Sequence, residues 1–434
     1  LDGKRPVYIA GYGMDRKATA VHDPIMARAI VLQSGNERIA LAAVDLIGLQ
    51  HPAVKAIRAK LPGYRYVLVA STHNHQGPDV IGIWGRGPFH RGVDEAYLEL
   101  VIAKVALAIE QAAASLRPVT AHYGTAEDNS LLDDARLPTV KDGVLRAIRL
   151  DQAEKREPAA LIVQWNCHPE ALGSKNTSLT ADFTAATVAA LREKYRCPVL
   201  YLSGAVGGLM APPEERIKDA SGQVLATGNF DYCRRYGEEV ALLAGKSIDA
   251  ATPLELTPFT VSSARIAVPV QNALYRMARA LGVVKRESHV WTGNFLDFGT
   301  PMTLDTRDLP TAVETEVACL RLGELFVPCL PGELYPELVY GKFPEPADPR
   351  ADFPDVPLEP TISTLMPGPK WLFVGLANDE LGYIIPKRQW DRAAPYCFGL
   401  EMAQYGEINS CGPEVAPILM QALKLRMEDL AATK

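Results

Sequence analysis

Two histidines separated by a single residue stand at the end of a short apolar run. The run Val67-Leu68-Val69-Ala70 leads into Ser-Thr-His-Asn-His-Gln-Gly-Pro, which contains His73 and His75. In an extended chain, side chains two residues apart point to the same side, so both imidazoles are expected to face one site. Imidazole binds zinc and also serves as an acid–base group. Taken alone, the pair is as consistent with two structural histidines, at the surface or in the core, as it is with metal binding or catalysis.

A third histidine, His168, follows the apolar run 161–165 and stands directly before Pro169. A single histidine in such a position is more often structural. Strand ends that lead into loops are nevertheless where α/β proteins place ligand sites. Two such histidine positions in one predicted sheet therefore favour convergence on a common site.

Zinc prefers imidazole nitrogens together with carboxylate or other oxygen ligands, and catalytic sites leave one position for water. Glu333 follows the predicted strand 325–330 across a Pro-Gly turn. Tyr383 follows a second predicted strand, 371–376. Either side chain could instead be an ordinary solvent-exposed one.

The composition excludes several classes of protein. The 434 residues are 48% hydrophobic and 22% charged with a net charge of -6, which is typical of a soluble globular chain and unlike a nucleic-acid-binding one. No apolar stretch approaches the length of a membrane span. The seven cysteines are scattered, and we expect buried free thiols. The chain begins at Leu1 without an initiator Met, so we expect a processed or trimmed form from which any export signal is already gone.

Short β-branched runs alternate with longer helical patterns, which predicts an α/β fold with mixed β-sheets flanked by helices. The second half is predicted to contain two further strands around an irregular insertion, 271–308, with a basic amphipathic piece at 274–286. That piece is expected to be a packed surface helix, a lid or a membrane-surface contact. We expect 343–369 to be a surface loop and the whole chain, 1–434, to form one catalytic domain. The predicted strands are 27–32, 38–45, 66–71, 145–150, 160–165, 198–202, 264–270 and 317–329, and the predicted helices are 94–115, 183–194, 236–250 and 413–430.

The chain resembles the catalytic domain of the neutral, or alkaline, non-lysosomal ceramidase family. The resemblance extends from Tyr12 to Pro413 and is carried by separate motifs. The most specific is Thr-His-x-His-x-Gly-Pro at 72–78. The others are Asn-x-His-Pro at 166–169, Pro-Gly-Glu at 331–333 and the segment 378–383.

The resemblance implies a Zn²⁺ ion held by His73, His168, Glu333 and Tyr383. It places His75 beside the metal as an acid–base or substrate-binding group. It also implies that Arg136 and Tyr405 contact the substrate, on weaker local matches. Two departures put ceramide itself in doubt. The family's polar Gly-Asp-Val-Ser-Pro-Asn loop is Gly-Gly-Leu-Met-Ala-Pro at 207–212. We also expect the family's C-terminal β-sandwich domain to be absent.

The leading hypothesis is therefore a zinc-dependent hydrolase that cleaves an N-acyl amide or ester bond with a metal-activated water. One alternative is a metal-dependent hydrolase of phosphoester or glycosidic bonds. Another is a catalytically degenerate family member that only binds a ligand. The expected partner is a small acyl substrate, which would be a lipid if the protein is a sphingolipid enzyme. A peripheral contact with a membrane is also expected, and no nucleic-acid partner. We expect a secreted or periplasmic protein.

Overall fold

Three β-sheets meet around one shared apolar core in the computed structural model, which describes residues 5–303 and 305–432. The predicted processed terminus at Leu1 and position 304 of the predicted insertion lie outside the described residues. Side chains from all three sheets interdigitate in this core, among them Leu41, Ile162 and Leu320. The α/β class with mixed sheets and flanking helices is confirmed.

The first sheet has three strands, of which the first two are antiparallel and the last two parallel. The second has five strands and is antiparallel except for the pair 158–165 and 199–203. The third is an antiparallel sheet of four strands. In spatial order, the strands of the first sheet are Ala27–Ser34, Glu37–Val44 and Tyr66–Ser71. Those of the second sheet are Val199–Ser203, Pro158–Trp165, Val144–Gln152, Val119–Glu127 and Thr252–Leu254. Those of the third sheet are Phe259–Pro269, Thr311–Leu322 and His289–Val290, and Leu325–Cys329 also pairs with Thr311–Leu322.

Each sheet is covered on its outer face by helices, which gives the layered arrangement of a large α/β protein. Two helices cover the first sheet, two cover the second, and the last helix packs on the third. The helices are His51–Ala59, Glu95–Ala114, Phe183–Tyr195, Phe230–Asp249, Ala273–Ala280, Glu337–Tyr340, Ile362–Leu365 and Val415–Ala432. Short 3₁₀ turns lie at Asn129–Leu131, Lys387–Gln389, Cys397–Gly399 and Glu407–Asn409.

The predicted helices and the strands of the first half are confirmed with shifts of a few residues, except that the helix predicted at 236–250 begins at Phe230. The single strand predicted at 317–329 is wrong, because the chain turns back at Gly323 to form a hairpin. The strand predicted at 371–376 is also wrong, since the segment makes only isolated bridges through Trp371 and Val374. All seven cysteines are buried and free, as predicted.

The insertion at 271–308 contains the helix Ala273–Ala280, on which no side chain is fully buried. Among the described residues, no helix combines the length and apolar character needed to cross a membrane. The expectation that 1–434 forms one catalytic domain stays a prediction.

A buried polar network joins the first and third sheets and fixes the loop that leads to Tyr383. The Arg58 guanidinium pairs with both carboxylate oxygens of Glu316, at 2.7 and 2.9 Å. The Tyr66 hydroxyl and the Asn378 amide donate to Glu316 Oε1 at 2.5 and 3.2 Å. Asn378 Oδ1 accepts the Val69 N–H at 3.0 Å. Strand 66–71, which leads to His73, is thereby tied to the loop that carries Tyr383.

Replacement of Glu316 with alanine is expected to destabilise the fold by about 3 kcal/mol, because it leaves a largely buried guanidinium without its partner. Urea unfolding of the two proteins measures the difference. Glu324→Ala is the control, since that carboxylate pairs with Lys370 at the surface and its loss should change stability little. Equal losses in the two variants would contradict the structural role given to Glu316.

Candidate metal centre

His73 reaches the site through a turn and not through an extended chain. The strand ends at Ser71, and His73 has a φ of 64°, in the left-handed region that a residue with a side chain seldom adopts. Its Nδ1 lies 2.7 Å from the main-chain oxygen of Ile47. A carbonyl only accepts, so Nδ1 carries the proton and Nε2 presents its lone pair to the site. The expected extended geometry is wrong, although the two imidazoles do meet.

His168 is oriented in the same way by a different carbonyl. Both its main-chain N–H and its Nδ1 donate to the main-chain oxygen of Met210, at 2.8 and 3.0 Å. Asn166 fixes the preceding turn by donating to Asp142 O at 2.9 Å and accepting from Ala205 N at 3.0 Å. The loop at 207–212, which lacks the family's polar side chains, thus supports the site through its main chain.

Glu333 and Tyr383 face each other in a two-stranded parallel ladder, in which Glu333 is in register with Tyr383. Gly332 permits this approach, since a Cβ at that position would lie 2.5 Å from the carbonyl oxygen of Gly382. The Pro-Gly turn identified in the sequence therefore has a steric reason. Both side chains are buried.

Three atoms that can bind a metal ion converge at the centre of the site. The Nε2 atoms of His73 and His168 lie 3.2 and 3.0 Å from Glu333 Oε2. Ligand atoms about 2.0–2.1 Å from a tetrahedral zinc ion lie about 3.3 Å apart. With both protons on Nδ1, two nitrogen lone pairs and a carboxylate oxygen face one another. Only protons or a shared cation make this arrangement favourable, so these residues fit a zinc ion.

His75 completes a group of three buried histidines. Single nitrogen atoms of His73, His75 and His168 lie within 4.8 Å of one another, so these three side chains could also hold a metal ion. Both nitrogens of His75 are buried without a hydrogen-bond partner. Its closest carboxylate oxygen is Glu170 Oε2, 3.7 Å from Nδ1. The imidazole is therefore free either to bind a cation or to exchange a proton with a ligand.

Burial and neighbouring charges shift the pKa values of the side chains in the site, often in opposite directions. Burial raises the pKa of Glu333, but His73 and His168 outweigh it and hold that pKa well below its usual range. Burial lowers the pKa of His168, yet the hydrogen bond to Glu333 raises it overall. Burial, together with His73 and His168, holds the pKa of His75 well below its ordinary value. Burial and then Glu333 raise the pKa of Tyr383 well above 10.

An apolar cavity of about 400 Å³ opens onto the site, and His73, His75, Glu333 and Tyr383 are part of its wall. Most of the remaining wall is apolar, and the helix 273–280 forms one side of it. Part of the insertion 271–308 lines this cavity, whereas none of the residues in 343–369 does. The apolar residues of the wall include Ile47, Ile81, Trp84, Val270, Leu274 and Met277.

A larger groove, of about 1430 Å³, lies between the C-terminal end of helix 95–114 and the first two sheets. None of the candidate metal ligands lines it. The candidate site is therefore distinguished by its convergent titratable groups and not by the size of its cavity.

Tyr405 and Arg136, the two substrate contacts implied by the family resemblance, occupy different environments. Tyr405 is half-exposed, lines the cavity and has its ring 5.9 Å from that of Tyr383. Arg136 is buried, and its guanidinium pairs with Glu407 at 2.6 and 2.9 Å and donates to the carbonyl of Tyr405 at 2.8 Å. It is not among the residues that line the cavity. Their roles in catalysis stay predictions.

Three further residues lie at the site, and two of them, Glu170 and Glu380, were not singled out from the sequence. Glu170 accepts a hydrogen bond from the Tyr12 hydroxyl at 3.2 Å and lies beside His75. Gly11 has a φ of 107°, and a Cβ there would lie 2.5 Å from His75 Cγ, so the His75 ring packs on its main chain. Glu380 lines the cavity next to Gly382. The position of Glu170 two residues after His168 was the one available signal.

No protein-family model matches the chain, and no curated protein matches it in sequence. Solved structures do match. A neutral ceramidase from Pseudomonas aeruginosa aligns with a TM-score of 0.71 and 16% identity, over 98% of this chain and 72% of that one. A ceramidase complexed with C2 aligns with a TM-score of 0.68 and 16% identity, over 98% and 73%. The chain has a ceramidase-like fold.

Proposed function

We propose that the protein is a zinc-dependent hydrolase of ceramidase type, which cleaves an N-acyl amide or ester bond. The observation that carries the proposal is the convergence of His73, His168 and Glu333 on one point, with both Nδ1 atoms committed to main-chain carbonyls. Tyr383, in register with Glu333, is the proposed fourth ligand. The ceramidase-like fold supports the same conclusion.

A zinc ion bound there would lower the pKa of a coordinated water to about 7 and polarise the substrate carbonyl. The chain's own residues supply the rest. His75, buried beside the ligands with both nitrogens unpartnered, takes the proton of the attacking water and delivers it to the leaving amine or alcohol. Tyr405 donates from the cavity wall to the developing oxyanion. Arg136 holds the main chain of Tyr405 in place.

The apolar wall of the cavity supports a substrate with an acyl chain, and both matched ceramidases are named for a lipid substrate. Half-exposed Met14, Leu274 and Met277 belong to the cavity lining and would contact a lipid surface during loading. A secreted or periplasmic location remains a prediction.

Hydrolysis of an N-acyl amide and of an acyl ester by the purified protein tests the proposal. Activity should disappear with a chelator and return with added zinc. A phosphoester and a glycoside are assayed in parallel. Turnover of either instead of the acyl substrates would establish the alternative enzyme class, and tight binding of the amide without turnover would establish a degenerate ligand-binding protein.

A further inference from the structure

The strand Ala27–Ser34 leaves one edge of the first sheet open. It pairs with Glu37–Val44 on one side and, within the described part of the chain, with no strand on the other. Because Ser34 and Glu37 close a two-residue turn, they exchange main-chain hydrogen bonds, and every second residue before Ser34 does the same with its partner. The alternate residues, whose main-chain N–H and C=O groups point to the open edge, are Ala27, Ala29, Val31 and Gln33.

This open edge lacks the features that usually protect an edge strand from pairing, which are prolines, lysines and β-bulges. The strand contains no proline or lysine, and its pairing with the neighbouring strand is continuous over all eight residues. Its one charged residue, Arg28, is already paired with the buried carboxylate of Asp45. Within residues 5–303 and 305–432, no main-chain hydrogen bond outside the ladder involves Ala29 or Val31. An edge of this kind can accept a further strand.

The groove of about 1430 Å³ runs along this open edge, since all eight residues 26–33 line it. Ala29 is half-buried and Gln33 is exposed, so the edge can be reached from solvent. The volume exceeds the roughly 300–1,000 Å³ of pockets that enclose a small molecule. Leu116 and Val119, which are 37 and 36% exposed, add apolar wall. The room, the apolar wall and the open edge together fit an extended polypeptide segment.

The charge of the groove indicates which kind of segment it accepts. Five arginines and one lysine line it against three carboxylates, although the whole chain carries a net charge of -6. A second copy of this chain, paired edge to edge, would bring two such positively charged linings together, whereas an acidic segment complements one. Three of the lining arginines are exposed and form no ion pair with any described residue: Arg117, Arg156 and Arg192.

We propose that this groove binds an acidic, extended segment of another polypeptide, which adds as a strand to the open edge of Ala27–Ser34. Main-chain hydrogen bonds along the strand hold the segment, and its carboxylates pair with the three exposed arginines. The assignment is independent of the proposed hydrolase, because none of the candidate metal ligands lines the groove.

Two octapeptides test the proposal, one of alternating valine and glutamate and one of alternating valine and lysine. Fluorescence anisotropy of the labelled peptides with the purified full chain measures binding. We expect saturable binding of the glutamate peptide and at least about tenfold weaker binding of the lysine peptide. Amide hydrogen exchange of the segment 27–34 should slow in the glutamate complex, because an added strand covers the free N–H groups.

Two variants separate the strand edge from the charge. Ala29→Pro removes an N–H that faces the groove and no ladder bond, so the fold should remain while the glutamate peptide binds at least about tenfold more weakly. The double variant Arg117→Glu with Arg192→Glu leaves the strand unchanged and should weaken binding as much. Its control, Arg234→Glu with Arg307→Glu, makes the same change in net charge at exposed positions outside the groove and should bind like the wild-type protein.

Absence of saturable binding of the glutamate peptide up to about 1 mM would overturn the proposal. Binding that leaves the exchange of 27–34 unchanged would also overturn it, since the peptide would then contact the arginines without adding a strand. Self-association of the wild-type protein that is lost in Ala29→Pro would assign the edge to a second copy of the chain. Binding of phosphatidylglycerol vesicles that requires Arg117 and Arg192 and excludes the peptide would assign the groove to a lipid.

Discussion

His73→Ala and His168→Ala are each expected to reduce bound zinc from about one ion per chain to near zero and to abolish acyl hydrolysis. Each change removes one of the two imidazole Nε2 atoms that meet at Glu333 Oε2, 3.2 and 3.0 Å away. The set that remains has one imidazole, one carboxylate and one phenol, and it lacks the second nitrogen ligand that zinc favours, so its affinity for zinc should fall steeply. Metal analysis of the purified variants and kcat/KM on the preferred acyl substrate measure the two effects.

His122→Ala is the matched control for these variants. That histidine lies on a strand of the second sheet beside Asp151, at 3.3 Å, and is not part of the three-histidine group. Its loss should leave zinc content and activity close to those of the wild-type protein. Zinc should also raise the unfolding temperature of the wild-type protein and of His122→Ala, but not of the two site variants, because a ligand stabilises only a fold that binds it. Full zinc occupancy in His73→Ala or His168→Ala would be incompatible with the proposed centre.

The sequence predicted the elements that carry the site better than the path of the chain within it. The buried strand Tyr66–Ser71 and the strand Pro158–Trp165 have clear apolar signals, and both end where the histidines were expected to emerge. The left-handed turn at His73 could not be predicted, because its φ of 64° is imposed by contacts such as that with the Ile47 carbonyl. Local strain of this kind is set by tertiary structure and concentrates at functional sites.

Long-range pairings explain the remaining differences. The strand Val119–Glu127 was not predicted, since Thr, His and Gly interrupt its apolar pattern and its partners lie elsewhere in the chain. The pairing of Arg136 with Glu407 joins positions far apart in the sequence, and a lone arginine carries no signal of a distant acid.

The two histidines of the His-x-His motif are expected to respond differently to substitution. In the His75→Ala variant, zinc should remain bound, because His73, His168, Glu333 and Tyr383 are unchanged, while kcat/KM should fall by about 10² to 10⁴, the usual contribution of a general acid–base group. Both His75 nitrogens are buried and unpartnered, and the ring is held against Gly11, which suits a group that exchanges protons with substrate. Metal analysis and steady-state kinetics on one preparation separate the two effects.

The competing arrangement is a zinc ion held by all three histidines, since their nitrogens lie within 4.8 Å of one another. The two arrangements make opposite predictions for a pair of variants. With the proposed ligand set, Glu333→Ala loses zinc and His75→Ala keeps it; with a three-histidine set, His75→Ala loses zinc and Glu333→Ala keeps it. The proposed set is favoured because Glu333 Oε2 is within 3.2 Å of two imidazole nitrogens, whereas neither nitrogen of His75 has a hydrogen-bond partner. Loss of zinc from His75→Ala would assign that histidine to the metal and leave the proton transfer to another residue.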